Sequence, residues 1–261
     1  MLNIQDVAIK YAAQPQSIVK NFSLHVAPGE ICGIVGESGS GKTSVIRAVL
    51  GCLPGGGRVT DGDILFENQS LLANTPEQWR CLRGSEISLI FQDAGAMLNP
   101  IRTIGSQFVE YIRTHQAMPK KQAYALGLKM LERMQLPDGA NIMRSYPFQL
   151  SGGQRQRVGI AMGMVFQPKL LLADEPTSAL DVTTQAQIVR QMLQLREQYG
   201  TAIVIVTHNI GLAAYMADKI VVMKKGCIEE QGNREQLQKT QSAYTRALLD
   251  AVPSLEGERY V

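Results

Sequence analysis

With 261 residues, 45% of them hydrophobic and 19% charged, the chain has the make-up of one large globular domain, or of one domain with a sizeable insertion. A formal net charge of +3, from Lys and Arg spread along the chain, gives no footing to nucleic acid or an anionic membrane as partner. Cys32, Cys52, Cys81 and Cys227 form no CxxC pair and have no histidine at metal-ligand spacing, so they read as isolated thiols in a reducing compartment. The start MLNIQDVAIKY is no signal peptide, and runs such as AIVIV at 202–206 fall far short of the roughly 20 residues of a membrane helix. The expectation is a cytoplasmic protein that, if it works at a membrane, docks onto something that spans it.

Along the chain, residues 2–9 and 22–26 alternate like strands. ICGIVG at 31–36 has the apolar run of a strand buried on both faces, and it enters the glycine-rich stretch GESGSGKT at 36–43. A helix is predicted over 42–53, with Val45, Ile46, Val49 and Leu50 on one face, ended by PGGG at 54–57. GDILFE and SEISLIFQ read as further strands. Over 93–149 the apolar spacing turns helical (Ile104, Phe108, Ile112; Leu128, Leu131, Met134), with Pro119 and Pro137 dividing the pieces. After 150 the α/β pattern returns: a helix over 152–165, a buried strand KLLLADE at 169–175, a helix over 183–199 closed by Gly200, a buried strand AIVIVTH, and a hairpin over 219–231 turning at Lys225-Gly226. The tail from 242 starts helical and ends polar.

Three stretches carry chemistry. GESGSGKT fits the phosphate-loop pattern, with Gly36, Gly41, Lys42 and Thr43 at the fixed positions. Its glycines let successive N–H groups face phosphate oxygens, Lys42 adds positive charge, and the Thr43 hydroxyl suits Mg²⁺. LLLADE ends a buried strand on two acids: Asp174 suits a role at Mg²⁺, and Glu175 suits polarising the attacking water. LSGGQRQR at 150–157 places Ser151 and the N–H groups of Gly152 and Gly153 at a helix start, which makes an anion site. It lacks the Gly-Lys-Thr end of a second phosphate loop. Two chains meeting head to tail would let it face the loop of the other; an ordinary N-capped helix is the alternative.

GESGSGKT, LSGGQ, LLLADEP, SALD at 178–181 and a histidine after a buried strand, His208, follow one another in an order that resembles ATP-binding-cassette (ABC) ATPases over about residues 2–235. The resemblance implies an α/β fold: an ABC-type P-loop NTPase core with an antiparallel β subdomain and an inserted α-helical subdomain. It divides the chain into core at 1–92 and 159–240, helical subdomain at 93–158, and C-terminal helix and tail at 241–261. It implies ATP bound by Tyr11, stacked on adenine, and by Gly36, Glu37, Ser38, Gly39, Ser40, Gly41, Lys42, Thr43 and Ser44. It implies Mg²⁺ at Thr43, Gln92 and Asp174, and catalysis by Glu175, His208 (holding the γ-phosphate), Gln92 and Lys42. Leu150, Ser151, Gly152, Gly153 and Gln154 would then face the ATP of a second chain, and Asp181 would contact that chain. His25 and His115 match no motif.

FQD…LNP at 91–100, ADEPTSALDVTTQAQI and YTRALL at 244–249 further resemble the dipeptide, oligopeptide and nickel branch of bacterial importers. That branch implies a second, paralogous ATPase subunit, two transmembrane permeases met through the helical insertion, and a substrate-binding protein reached indirectly, at the cytoplasmic face of the inner membrane. DAGAM at 93–97 departs from the branch's usual DPMTS, which bears on the permease contact. With only Cys227 in the last third, no iron–sulfur cluster is expected. The short tail resembles nickel-type subunits, so nickel or a nickel chelate is the expected cargo and peptide the alternative. A soluble, non-transport ABC ATPase acting on DNA or the ribosome fits poorly, because the insertion is short and lacks sustained heptads. An inactive regulatory ATP-binder would need a broken Lys42, Glu175 or His208.

Overall fold

The computed structural model describes residues 1–178 and 180–252; Ala179 of the SALD stretch and residues 253–261 of the expected tail lie outside it. Strands β1 (Leu2–Lys10) and β2 (Val19–Val26) pair antiparallel, followed by the fully buried β3 (Ile31–Gly36). Helix α1 (Lys42–Val49) follows the glycine-rich loop. It is shorter than the expected 42–53. Gly51, at φ +60, turns the chain back, and the N–H groups of Gly51 and Cys52 donate to the carbonyls of Ala48 and Arg47. Next come β4 (Arg58–Phe66), β5 (Gln69–Ser70) and α2 (Pro76–Leu82). The last two were not expected. Helix α2 is fixed by a capping box, in which the Thr75 hydroxyl accepts from the Gln78 N–H and the Gln78 side chain accepts from the Thr75 N–H. Strand β6 (Ile87–Ile90) is shorter than predicted, so Gln92 lies beyond it in a turn and does not end the strand.

The helical stretch holds α3 (Ala94–Met97), α4 (Ile104–His115), α5 (Lys120–Arg133), α6 (Gly139–Arg144) and α7 (Gly152–Met164). Ile104, Phe108 and Ile112 are fully buried, as their spacing predicts. Phe108 lies against Gly127 of α5, where even a Cβ would sit 3.0 Å from its ring. The chain ends with β7 (Leu170–Asp174), α8 (Val182–Tyr199), β8 (Ala202–Thr207), α9 (Ile210–Met216), β9 (Lys219–Lys224), β10 (Cys227–Gly232), α10 (Arg234–Gln238) and α11 (Ala243–Asp250). Gly200 closes α8 in the left-handed conformation, and the hairpin turns at Lys225-Gly226, both at positive φ. Short α9 and α10 were not anticipated.

Two sheets result. One is antiparallel, in the order β2-β1-β4-β5; the other runs β10-β9-β3-β8-β7-β6 and is parallel except for β10. Period-two alternation sorts the buried strands between two cores. Leu170, Leu172, Val204 and Val206 pack with α1 and the antiparallel sheet. Leu171, Ala173, Ile203 and Ile205 pack with α4, α5, α7 and α8. This is the expected mixed α/β architecture. Among the described residues, no helix is long and apolar enough to cross a membrane.

Phe108→Ala empties a fully buried ring from the α4–α5 contact and should cost about 3–5 kcal/mol, read as a lowered midpoint in chemical denaturation.

Candidate active site

Four parallel strands end side by side, and each delivers a site residue at or just past its carboxyl end: Gly36 as the last residue of β3, Gln92 after β6, Glu175 after β7 and His208 after β8. Carboxyl ends of parallel strands are where open α/β sheets bind ligands. They surround a cleft of about 570 Å³ lined by Ile18, Ser38, Gly39, Gly41, Lys42, Thr43, Ser44, Gln92, Glu175 and His208.

The loop has a backbone only glycine supplies. At Gly36, φ is +148 and a Cβ would meet the Met223 carbonyl oxygen at 2.1 Å; at Gly41, φ is +100 and a Cβ would meet Val19 at 2.7 Å. Lys42 is buried and folds back, its Nζ donating to the carbonyls of Gly36 and Glu37 at 2.7 Å each. Burial pulls its pKa below the ordinary lysine value, against the opposing pull of Glu175, Asp174 and Glu37. The Ser40 hydroxyl is buried without a partner.

Across the cleft, the Thr43 hydroxyl donates to Asp174 Oδ1 at 3.0 Å. Burial pushes the Asp174 carboxyl above the usual range, and the Thr43 hydrogen bond and the charges of Arg47 and Lys42 offset this in part. Glu175 has a left-handed backbone at φ +46, and its N–H donates to the Val206 carbonyl at 2.8 Å. Such strain in a residue with a side chain persists where the surroundings enforce it, often at functional sites. Glu175 Oε2 is approached by His208 Nδ1 at 3.2 Å and by Gln92 Nε2 at 3.5 Å. Among the described residues there is no cluster of three or more His, Cys, Asp or Glu able to hold a metal alone. Thr43, Asp174 and Gln92 instead offer hard oxygens, a set suited to a Mg²⁺ shared with phosphate.

Tyr11 stands beside the loop, its hydroxyl 3.1 Å from Ser44 Oγ. Leu150–Gln154 line no part of the cleft. Ser151 caps α7 in a reciprocal box: its hydroxyl accepts from the Gln154 N–H at 3.2 Å, and Gln154 Oε1 accepts from the Ser151 N–H at 2.8 Å. Asp181 caps α8, accepting from the Thr184 N–H at 2.9 Å and the Thr184 hydroxyl at 2.7 Å, which hold its carboxyl below the usual range. His25 and His115 lie away from the cleft. One feature escaped the sequence: Arg102, Arg113, Lys120, Lys121 and Arg144, separated along the chain, meet around a groove of the helical stretch.

A family model described as ABC transporter matches residues 19–178. The chain belongs to the ABC transporter family. It is an ABC-type ATPase. It is similar to the dipeptide transport ATP-binding protein DppD of Bacillus subtilis, at 38% identity over 260 residues, covering 98% of this chain and 78% of the relative. It is similar to the oligopeptide transport ATP-binding protein OppD of Escherichia coli at 40% identity over 264 residues, covering 99% and 77%. Among solved structures, it resembles the dimeric post-hydrolysis state of the ATP-binding cassette MJ0796 bound to ADP and Pi (TM-score 0.79, 28% identity, 90% of this chain and 99% of that one). It also resembles cbiO1 from Clostridium perfringens, part of the ABC transporter complex cbiONQ (TM-score 0.79, 26% identity, 96% and 95%).

The raised Asp174 pKa has a consequence for stability. The folded chain holds that proton at pH values where the unfolded chain has released it, so charged Asp174 opposes folding above that window. Wild-type stability should therefore gain from this group as pH falls from neutral toward its ordinary 3.8. Asp174→Asn should raise the thermal midpoint of the nucleotide-free protein at pH 7 and flatten that gain, while lowering ATPase activity. Thermal melts across pH check the first two outcomes and a phosphate-release assay the third.

Proposed function

We propose that this chain is the ATP-hydrolysing motor subunit of a di- or oligopeptide importer. The observation that carries the motor reading is the convergence of Lys42, Thr43, Gln92, Glu175 and His208 on one cleft that LSGGQ does not line. A single chain thus holds half of a site. Peptide takes the place of nickel as cargo because the relatives above are named for dipeptide and oligopeptide transport. The nickel expectation rested on the length of the tail, which carries no chemistry that recognises a cargo.

Each residue then has a task. Lys42 moves from the loop carbonyls to the outer phosphates, which the N–H groups of Gly36–Ser44 cradle. Tyr11 stacks on adenine. Thr43, Asp174 and Gln92 would hold Mg²⁺, which would supply positive charge against the phosphates. Glu175 Oε2 accepts a proton from the attacking water, Gln92 positions that water, and His208 holds the γ-phosphate. Ser151, Gly152, Gly153 and the start of α7 supply the other wall of a partner's site, with Asp181 at the same junction. The partner is a second ATPase subunit, taken as a paralogue. ATP closes the pair, and hydrolysis weakens the interface.

The division into core, helical subdomain at 93–158 and C-terminal segment fits this scheme. Phe91, Met97 and Ile101 are exposed apolar side chains next to Gln92 and α3, which suits contact with one of two permeases. A binding protein feeds those permeases from the other side, and the chain works peripherally at the cytoplasmic face of the membrane.

Glu175→Gln should lower turnover by about 10²–10⁴-fold with ATP binding retained; normal hydrolysis by this variant contradicts the assigned role. Deleting the gene should abolish uptake of labelled peptides and leave labelled nickel uptake intact. The reverse pattern restores the nickel reading.

A further inference from the structure

The YTRALL stretch has no task in the cleft described above, yet α11 carries it to the back of the phosphate loop. The Tyr244 hydroxyl accepts a hydrogen bond from the Glu37 N–H at 3.1 Å, from 207 residues further along the chain. Lys224, the last residue of β9, places its Nζ 4.5 Å from the centroid of the Tyr244 ring. The ring, with Leu248 and Leu249, packs on the cluster of Val35, Ile210, Ala213, Ile220, Val222 and Leu237. Val35 directly precedes Gly36. Burial raises the Tyr244 phenol above its ordinary pKa, so the group stays neutral and accepts the bond at physiological pH.

One peptide unit of the loop, Gly36–Glu37, is therefore gripped at both ends. Its carbonyl accepts from Lys42 Nζ at 2.7 Å, and its N–H donates to Tyr244. With no Cβ at Gly36, sterics alone do not fix the orientation of this plane. A bound phosphate would compete with that carbonyl for the Lys42 ammonium. Among the described residues, Tyr244 is the other side-chain tie on that peptide.

We propose that Tyr244 is a positioning residue for ATP: it holds the Gly36–Glu37 peptide in its phosphate-ready orientation, so that binding does not have to order the loop. The inference rests on the loop being the ATP site and is independent of cargo.

Tyr244→Phe tests it, because the ring, its packing and the Lys224 contact remain while the hydroxyl is lost. ATP affinity of the full chain, steady-state ATPase kinetics and amide exchange at Glu37 are measured beside the wild type. The expected result is a rise of about three- to tenfold in Kd and KM, the worth of one hydrogen bond. The kcat should stay within about twofold, and the Glu37 amide should exchange faster in the free protein. Unchanged affinity, unchanged Glu37 exchange, or a loss confined to kcat each overturns the inference. The wild-type titration separates the two layers: a wild type that binds no ATP overturns the site reading itself, whereas normal wild-type binding with unchanged Tyr244→Phe affinity overturns only the role of Tyr244.

Discussion

The buried ammonium of Lys42 is the charge around which the site is arranged. It rests on the carbonyls of Gly36 and Glu37, neutral acceptors that satisfy two of its three protons. Burial disfavours its charged form, while burial also disfavours the carboxylate of Asp174 across the cleft. Neither group reaches in the free chain the partner that would fully reward its charge. The terminal phosphates of a nucleotide would offer the lysine a charged acceptor, and a divalent cation would offer the same to the aspartate. The free fold holds both groups in place for that exchange.

What holds them is the parallel sheet. Strands β3, β7 and β8 are buried along their whole length and end together, so the polar residues that follow them emerge at one edge with fixed spacing. The left-handed turn at Glu175 is tied to β8 through its own N–H, which aims the side chain at His208 and Gln92 rather than out along the strand. The LSGGQ segment needs no nucleotide to keep its shape. Its capping box already satisfies helix-end donors within the chain, and the same helix start stays exposed.

Much of this was legible in the sequence, because the signals are local. The glycine pattern at 36–43, the apolar run ending in Asp174-Glu175, and the Lys225-Gly226 turn each set backbone geometry within a few residues. Short elements were missed. Helix α2 carries a readable Thr-Pro-Glu-Gln start, but its seven residues turn only Trp79 and Leu82 toward the core, too few to show a period. Helices α9 and α10 have too few turns for periodicity. Long-range placement was not legible at all. Tyr244 reaching Glu37, and the meeting of Arg102, Arg113, Lys120, Lys121 and Arg144, depend on how distant elements pack. The cargo was not legible either, since tail length carries no chemistry that recognises a substrate.

The central claim is that this cleft binds ATP through a charge handed from loop carbonyls to phosphate. The most direct measurement is calorimetric titration of the chain with ATP and Mg²⁺, run beside Lys42→Ala. The account predicts saturable binding of one nucleotide per chain that the substitution removes or weakens severely. Equal binding by Lys42→Ala and wild type would contradict it and place the nucleotide elsewhere.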